Sequence, residues 1–115
     1  AIRRGCRRIL MGIGGSATND AGVGMLQALG FRFLGAAGEN IRPCGGNLER
    51  IRSYDAIHVH PELASCRFRV AVDVDNPFYG PEGAAYVFAP QKGATPEMVR
   101  QLDRGLQHFS ALVLQ

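Results

Sequence analysis

Apolar residues along the chain recur with two different periods, and these define its elements. The run Ile9-Leu10-Met11 inside Arg8–Ile13 reads as a buried strand that ends in glycines. Asp20–Leu29 is apolar almost all round, which predicts a buried helix capped by Thr18 or Asn19 and stopped by Gly30. Phe31–Leu34 is a short strand, followed by a Gly-rich turn over Gly35–Asn40 that can return as a hairpin at Ile41. Arg42–Asn47 reads as a loop and Leu48–Ile51 as one helical turn. The stretch 54–64 lacks a period and reads as coil, with a turn of helix at Pro61–Ala64. Alternation in Arg67–Val74 places Phe68, Val70 and Val72 on one face of a second strand. Asp73–Gly83 is a turn-rich loop, and Gly83–Phe88 is a short helix. The last helix is the clearest: Thr95 as N-cap, Pro96 at the first position, Glu97 in the first turn, and Val99, Leu102, Leu106, Phe109 and Val113 on one face. Strand–helix alternation with a tight turn predicts an α/β fold, a mixed sheet with flanking helices.

Length and composition narrow the class. The chain has 115 residues, enough for one domain and one core. No apolar run reaches membrane-spanning length and no signal peptide opens the sequence, so the expected location is cytoplasmic, with no membrane partner. Cys6, Cys44 and Cys66 are odd in number and widely spaced without a CxxC pair, which favours reduced thiols over a disulfide framework or a zinc site; Cys44 and Cys66, with no adjacent base, are expected to pack. The net charge of +3 comes from twelve Arg and the single Lys92 against ten acids. The Arg are scattered without interleaved aromatics, so a nucleic-acid partner is not expected. Both ends read as cut: Ala1 is not Met, and Gln115 falls within an apolar helical pattern. The expected organisation is one partial domain over 1–115, an internal segment of a longer chain.

Candidate chemistry gathers at three places. The first is GIGGSATND, residues 12–20, where glycines follow a strand and three polar side chains (Thr18, Asn19, Asp20) precede a helix. Such a turn presents backbone N–H groups to an anion. It lacks the Lys of a Walker A loop. It fits the loose form of the dinucleotide fingerprint, but the acidic ribose partner expected about 20 residues later is missing. The bland reading is a capped strand-to-helix turn. The second place is Asp73-Val74-Asp75-Asn76-Pro77, where Asp73 and Asp75 would share a face and could hold magnesium; an Asx-type turn before proline is the alternative. The third is Lys92, in Pro90-Gln91-Lys92-Gly93, a compact ammonium that could neutralise a phosphate. His58 and His60 would lie on one face of a strand, but no third ligand stands at metal spacing. His108 falls on the polar face of the last helix and reads as solvated.

Three stretches together, GIGGSATNDAGVGMLQALG (12–30), Gly45-Gly46-Asn47-Leu48 and VAVDVDNPFYGPEGAAYVFAPQKGA (70–94), resemble the bacterial glycerate kinase family, in register through almost the whole chain. Family members resemble GGSATNDGGAGM, DVTNPL and FGPQKGA. Here Ala21 replaces a glycine, Val23 an alanine and Ala89 a glycine, and Asp75 and Phe78 also differ. The resemblance implies an ATP-dependent kinase acting on a hydroxyl of D-glycerate, with this chain as the middle piece of a two-domain α/β enzyme that forms its smaller domain. Glycine-rich and acidic segments further downstream in the family are absent here, so the segment alone is expected to be inert or incomplete. A dinucleotide-binding oxidoreductase domain and a non-catalytic remnant are the competing readings.

Within the kinase reading, Gly14, Gly15 and Ser16, with Thr18 and Asn19, would bind phosphate or the glycerate carboxylate. Asp20 or Asp73 would accept the hydroxyl proton while the other holds Mg2+ through water, with Asp75 a further metal ligand. Asn76 and Lys92 would orient and neutralise the transferring group. These clusters are expected to line one cleft, because phosphoryl transfer requires them close together.

Overall fold

A computed structural model describes residues 1–114; Gln115 lies outside the described residues. The elements in order are strand β1 (Arg8–Gly12), helix α1 (Val23–Ala28), strands β2 (Arg32–Leu34), β3 (Ser53–Asp55) and β4 (Arg67–Ala71), and helices α2 (Ala84–Phe88) and α3 (Pro96–Val113). Turns of 3-10 helix at Ile2–Arg4, Gly45–Arg50, Pro61–Ser65 and Pro90–Lys92 join them. Both pairing senses of a mixed architecture are present, but on two separate sheets. β1 pairs parallel with β4, Arg8 opposite Arg67 through Gly12 opposite Ala71. β2 pairs antiparallel with β3, Arg32 opposite Asp55 through Leu34 opposite Ser53.

The core forms around α3. Val99, Leu106 and Phe109 of this helix meet Val23, Phe33, Ile41, Leu48, Ile51, Ala85 and Ala89. Gly105 is buried on the same helix because Leu48 packs against it; a Cβ there would stand 3.0 Å from the Leu48 Cβ. The α3 start follows the sequence: Thr95 Oγ1 accepts from Met98 N at 3.3 Å, ahead of Pro96. Val113 is 45 % exposed, and Leu112 packs against the core instead. His108, expected to be solvated, is half-buried with Nε2 2.6 Å from the Ile51 carbonyl. That contact ties α3 to the end of the 45–50 turn.

Four other features differ from the sequence reading. β1 is not buried: Leu10 is 77 % exposed, and every residue of β4 is exposed. A parallel pair needs cover on both faces. Here α1 flanks one face across an open groove of about 500 Å³ lined by Ile9, Met11, Met25, Leu29 and Phe68. Next, α1 is shorter than expected, and only Val23 in it is buried. Gly22 is its N-cap, in place of the expected Thr18 or Asn19, and the Asp20 carboxylate serves the open N–H groups there: Oδ1 and Oδ2 accept from Gly22 N and Gly24 N, each at 3.1 Å. Ala21 and Gly22 then turn left-handed, at φ 55 and φ 73, which prevents a helix from running through Asp20. Gly30, at φ 102, closes the other end as expected.

The third difference is β3, which lies where coil was expected. Its Asp55 forms a forked contact with Arg32, Oδ2 receiving Nη2 at 2.6 Å and Nε at 3.0 Å, and this hydrogen bonding holds the Asp55 carboxyl below its ordinary range. Lastly, the hairpin suggested at Gly35–Asn40 forms as a single bridge, Leu34 to Asn40, with Ile41 N donating to Phe33 O at 2.8 Å. Among the described residues no helix is long and apolar enough to cross a membrane.

Ala21 stands where the resembling family carries glycine, and its φ of 55 explains why glycine suits the site. A left-handed alanine costs about 1–2 kcal/mol, partly offset by the larger unfolded-state entropy of glycine. Ala21→Gly is therefore expected to stabilise the protein by about 0.5 kcal/mol in a denaturant titration, and a lower midpoint would contradict this.

Candidate functional site

β1 delivers the chain into the glycine turn. Gly15, at φ 68, supplies the left-handed residue that reverses the backbone there and leaves Ser16 exposed. Lys92 approaches from the opposite direction, at the end of the Pro90–Lys92 turn, which follows α2 through Ala89. Its Nζ donates to Ser16 Oγ at 3.0 Å and to the Thr18 carbonyl. An ammonium has three donors, so one N–H remains for a ligand. Lys92 is half-buried, and the anchoring holds its charge in place over the turn.

Two clefts meet at Lys92. The first, about 260 Å³, is lined by Gly14, Gly15, Ser16, Asp73, Gln91 and Lys92, with Ile13, Val74 and Phe88 as its apolar wall. The second, about 300 Å³, takes in Thr18, Asn19, Asp20, Cys44, Gly45 and Lys92, closed by Met98 and Leu102. Ser16, Asp73 and Lys92 thus share a cleft. Asp20 lies on the neighbouring one, its carboxylate bonded to the start of α1. Asp75 and Asn76 are not among the lining residues of either cleft. The Asn76 amide instead donates to the Glu82 carbonyl at 3.1 Å. Asp103 of α3 holds the same loop, accepting from Gly80 N at 2.7 Å.

Gln91, Phe88 and Cys44 also line the clefts and Asp103 anchors the loop, roles that none of the three sequence clusters includes. Gln91 stands next to Lys92 in the quoted motif, and that adjacency was the available signal. Cys44 is exposed where packing was expected, because it sits at the cleft mouth ahead of the 45–50 turn. All three cysteines are free.

The paired histidines do not share a strand face. His58 is exposed in a turn and not on a strand, while His60 Nδ1 accepts from Glu62 N at 3.4 Å as the cap of the 61–65 turn. Among the described residues no group of three His, Cys, Asp or Glu side chains could hold an ion alone. Since His58 lines neither cleft, His58→Ala should change any activity these clefts support by less than about twofold. A larger loss, with an unchanged thermal melt, would place the chemistry elsewhere.

The glycerate kinase family matches residues 1–115. Glycerate kinase of Bacillus subtilis (strain 168) is 49 % identical over 110 residues, covering 96 % of this chain and 29 % of that protein. Glycerate 2-kinase of Escherichia coli (strain K12) is 44 % identical over 113 residues, covering 98 % and 30 %. A crystal structure of a candidate glycerate kinase 2 from Salmonella typhimurium LT2 superposes with a TM-score of 0.91 at 48 % identity, covering 97 % of this chain and 30 % of that one. The chain therefore spans about three-tenths of the length of these relatives.

Proposed function

The chain belongs to the glycerate kinase family, and from that premise we propose that it is the part of an ATP-dependent kinase that helps transfer a phosphoryl group to a hydroxyl of D-glycerate. The observation that carries the proposal is the Lys92 ammonium, fixed on Ser16 and Thr18 within a cleft that also holds Gly14, Gly15 and Asp73. Phosphoryl transfer asks mainly for positioning and charge neutralisation. The turn at Gly14–Ser16 offers backbone N–H groups and a hydroxyl to phosphate oxygens or to the glycerate carboxylate. Lys92 neutralises charge that develops on the transferring group. Asp73, across the cleft, is the candidate to accept the acceptor hydroxyl's proton.

The donor set suits magnesium, which binds through one or two carboxylates and completes its shell with water and substrate phosphates. Asp73 would hold the ion from the cleft, and Asp75, which lines neither cleft, would reach it only through water. When bound, Mg2+ would neutralise phosphate charge and orient the nucleotide. Asp20, its carboxylate bonded to the start of α1, lines the second cleft beside Thr18, whose hydroxyl is a candidate contact for a small ligand there. As a domain, the segment is a partial one within the longer enzyme.

Isothermal titration of the full-length enzyme tests this reading. ATP with magnesium and D-glycerate should each give a saturable heat, and NAD should give none. Binding of NAD without nucleotide triphosphate would replace the kinase reading with an oxidoreductase one.

A further inference from the structure

The loop that carries Ser16 is held by residues on three other elements, and the middle point of attachment is Asn19. Its Nδ2 donates to the Ala84 carbonyl at 3.2 Å, at the first residue of α2. On the other side, the Asn19 carbonyl lies against Gly45. A Cβ built at Gly45 would stand 2.1 Å from that oxygen and 2.5 Å from Leu102 Cδ2. Such distances are far inside van der Waals contact, so any side chain at Gly45 must push the Asn19 backbone or the turn away. The backbone conformation of Gly45 does not call for glycine, since only close approach singles it out.

These contacts form a closed path. Asn19 fixes the loop to the start of α2, α2 leads into the turn that ends at Lys92, and Lys92 returns to Ser16 and Thr18 of the same loop. We propose that Asn19 and Gly45 are positioning residues: Gly45 lets the start of the Gly45–Arg50 turn close on the loop, the Asn19 amide ties the loop to α2, and together they set Ser16 at hydrogen-bond distance from Lys92. The proposal rests on the Lys92 cleft being the site of phosphoryl transfer. It gives Asn19 a role through Lys92 instead of through contact with substrate. Its amide donor is already used inside the protein, and the residue is half-buried.

The test is a double-mutant cycle in the full-length enzyme, with kcat, both KM values and a thermal melt for each variant. Asn19→Ala should lower kcat by about 10-fold or more, because small displacements of reacting groups are costly, and leave both KM values within about threefold. Asn19→Asp keeps the shape but turns a carboxylate towards the Ala84 carbonyl, so it should lose as much as Asn19→Ala. On a Lys92→Ala background, Asn19→Ala should cost less than about threefold further, since the group it positions is gone. Gly45→Ala should reproduce the kcat loss. If that variant does not fold, the Asn19 cycle still decides. A raised KM for ATP or glycerate with kcat unchanged would overturn the proposal by making Asn19 a substrate ligand. Losses that multiply in the double variant would overturn it as well, since they would make the two residues independent. Lys92→Ala at the wild-type rate would instead overturn the kinase reading of the cleft, and the clamp with it.

Discussion

Asp73→Asn in the full-length enzyme is expected to lower turnover by about 100-fold or more while leaving the thermal melt near that of the wild type. Asp73 follows β4, which ends at Ala71, two residues short of it and three short of the Val74 expected from the alternation. It is exposed, and it faces Gly14, Gly15 and Ser16 across the first cleft. An exposed carboxylate engaged in no ion pair among the described residues contributes little to stability, so the substitution should be structurally mild. Asparagine keeps the size and one acceptor oxygen but cannot take a proton or supply the negative charge a cation requires.

The same variant separates the two roles open to Asp73. A general base would show itself as the loss of the acidic limb of the pH–rate profile, since that limb reports the base's own titration. A metal-holding role would show itself as a raised magnesium requirement, with activity partly restored at high magnesium. Turnover within about threefold of wild type would remove Asp73 from both.

Much of this arrangement is legible in the residues before any coordinates. The strand ahead of the glycine turn, the αL glycine at Gly30 and the N-cap and buried face of α3 follow from local rules, and local rules survive folding. What sequence could not reveal depended on partners distant along the chain. Ile9, Leu10 and Met11 read as a buried strand because periodicity records what a strand needs, not whether neighbours within 115 residues meet that need. Nothing local announced β3 either. Ser53–Asp55 is too short for a period, and it is a strand because β2 lies beside it and Asp55 grips Arg32. Asp20 was legible as a polar group in the right loop. That its carboxylate is bonded to Gly22 and Gly24 depended on the left-handed turn at Ala21, a conformation alanine does not advertise. The meeting of Lys92 with Ser16, 76 positions apart, is likewise a product of the tertiary fold.

That meeting is the basis of the last expectation. Lys92→Ala in the full-length enzyme should lower kcat by about 100- to 1,000-fold, the range lost when one preorganised donor to a developing charge is removed. Two of the ammonium's three N–H groups are engaged by Ser16 and Thr18, so the charge is held in place before substrate arrives. Preorganisation is what makes such a charge effective in the transition state, because no protein dipoles have to turn as the phosphoryl group moves. Lys92→Arg tests this point separately from charge. A planar guanidinium has a different donor geometry and cannot reproduce the compact contact with both oxygens, so it should recover less than about a tenth of the wild-type rate despite its full positive charge. Lys92→Met, neutral and of similar length, should match Lys92→Ala. If Lys92→Arg restored full turnover, charge alone would suffice and the anchoring on Ser16 would carry no catalytic weight. If Lys92→Met were also active, the ammonium would be only a structural tie between the loop and the end of α2, and the candidate site would have to be rebuilt around Asp73 and the glycine turn.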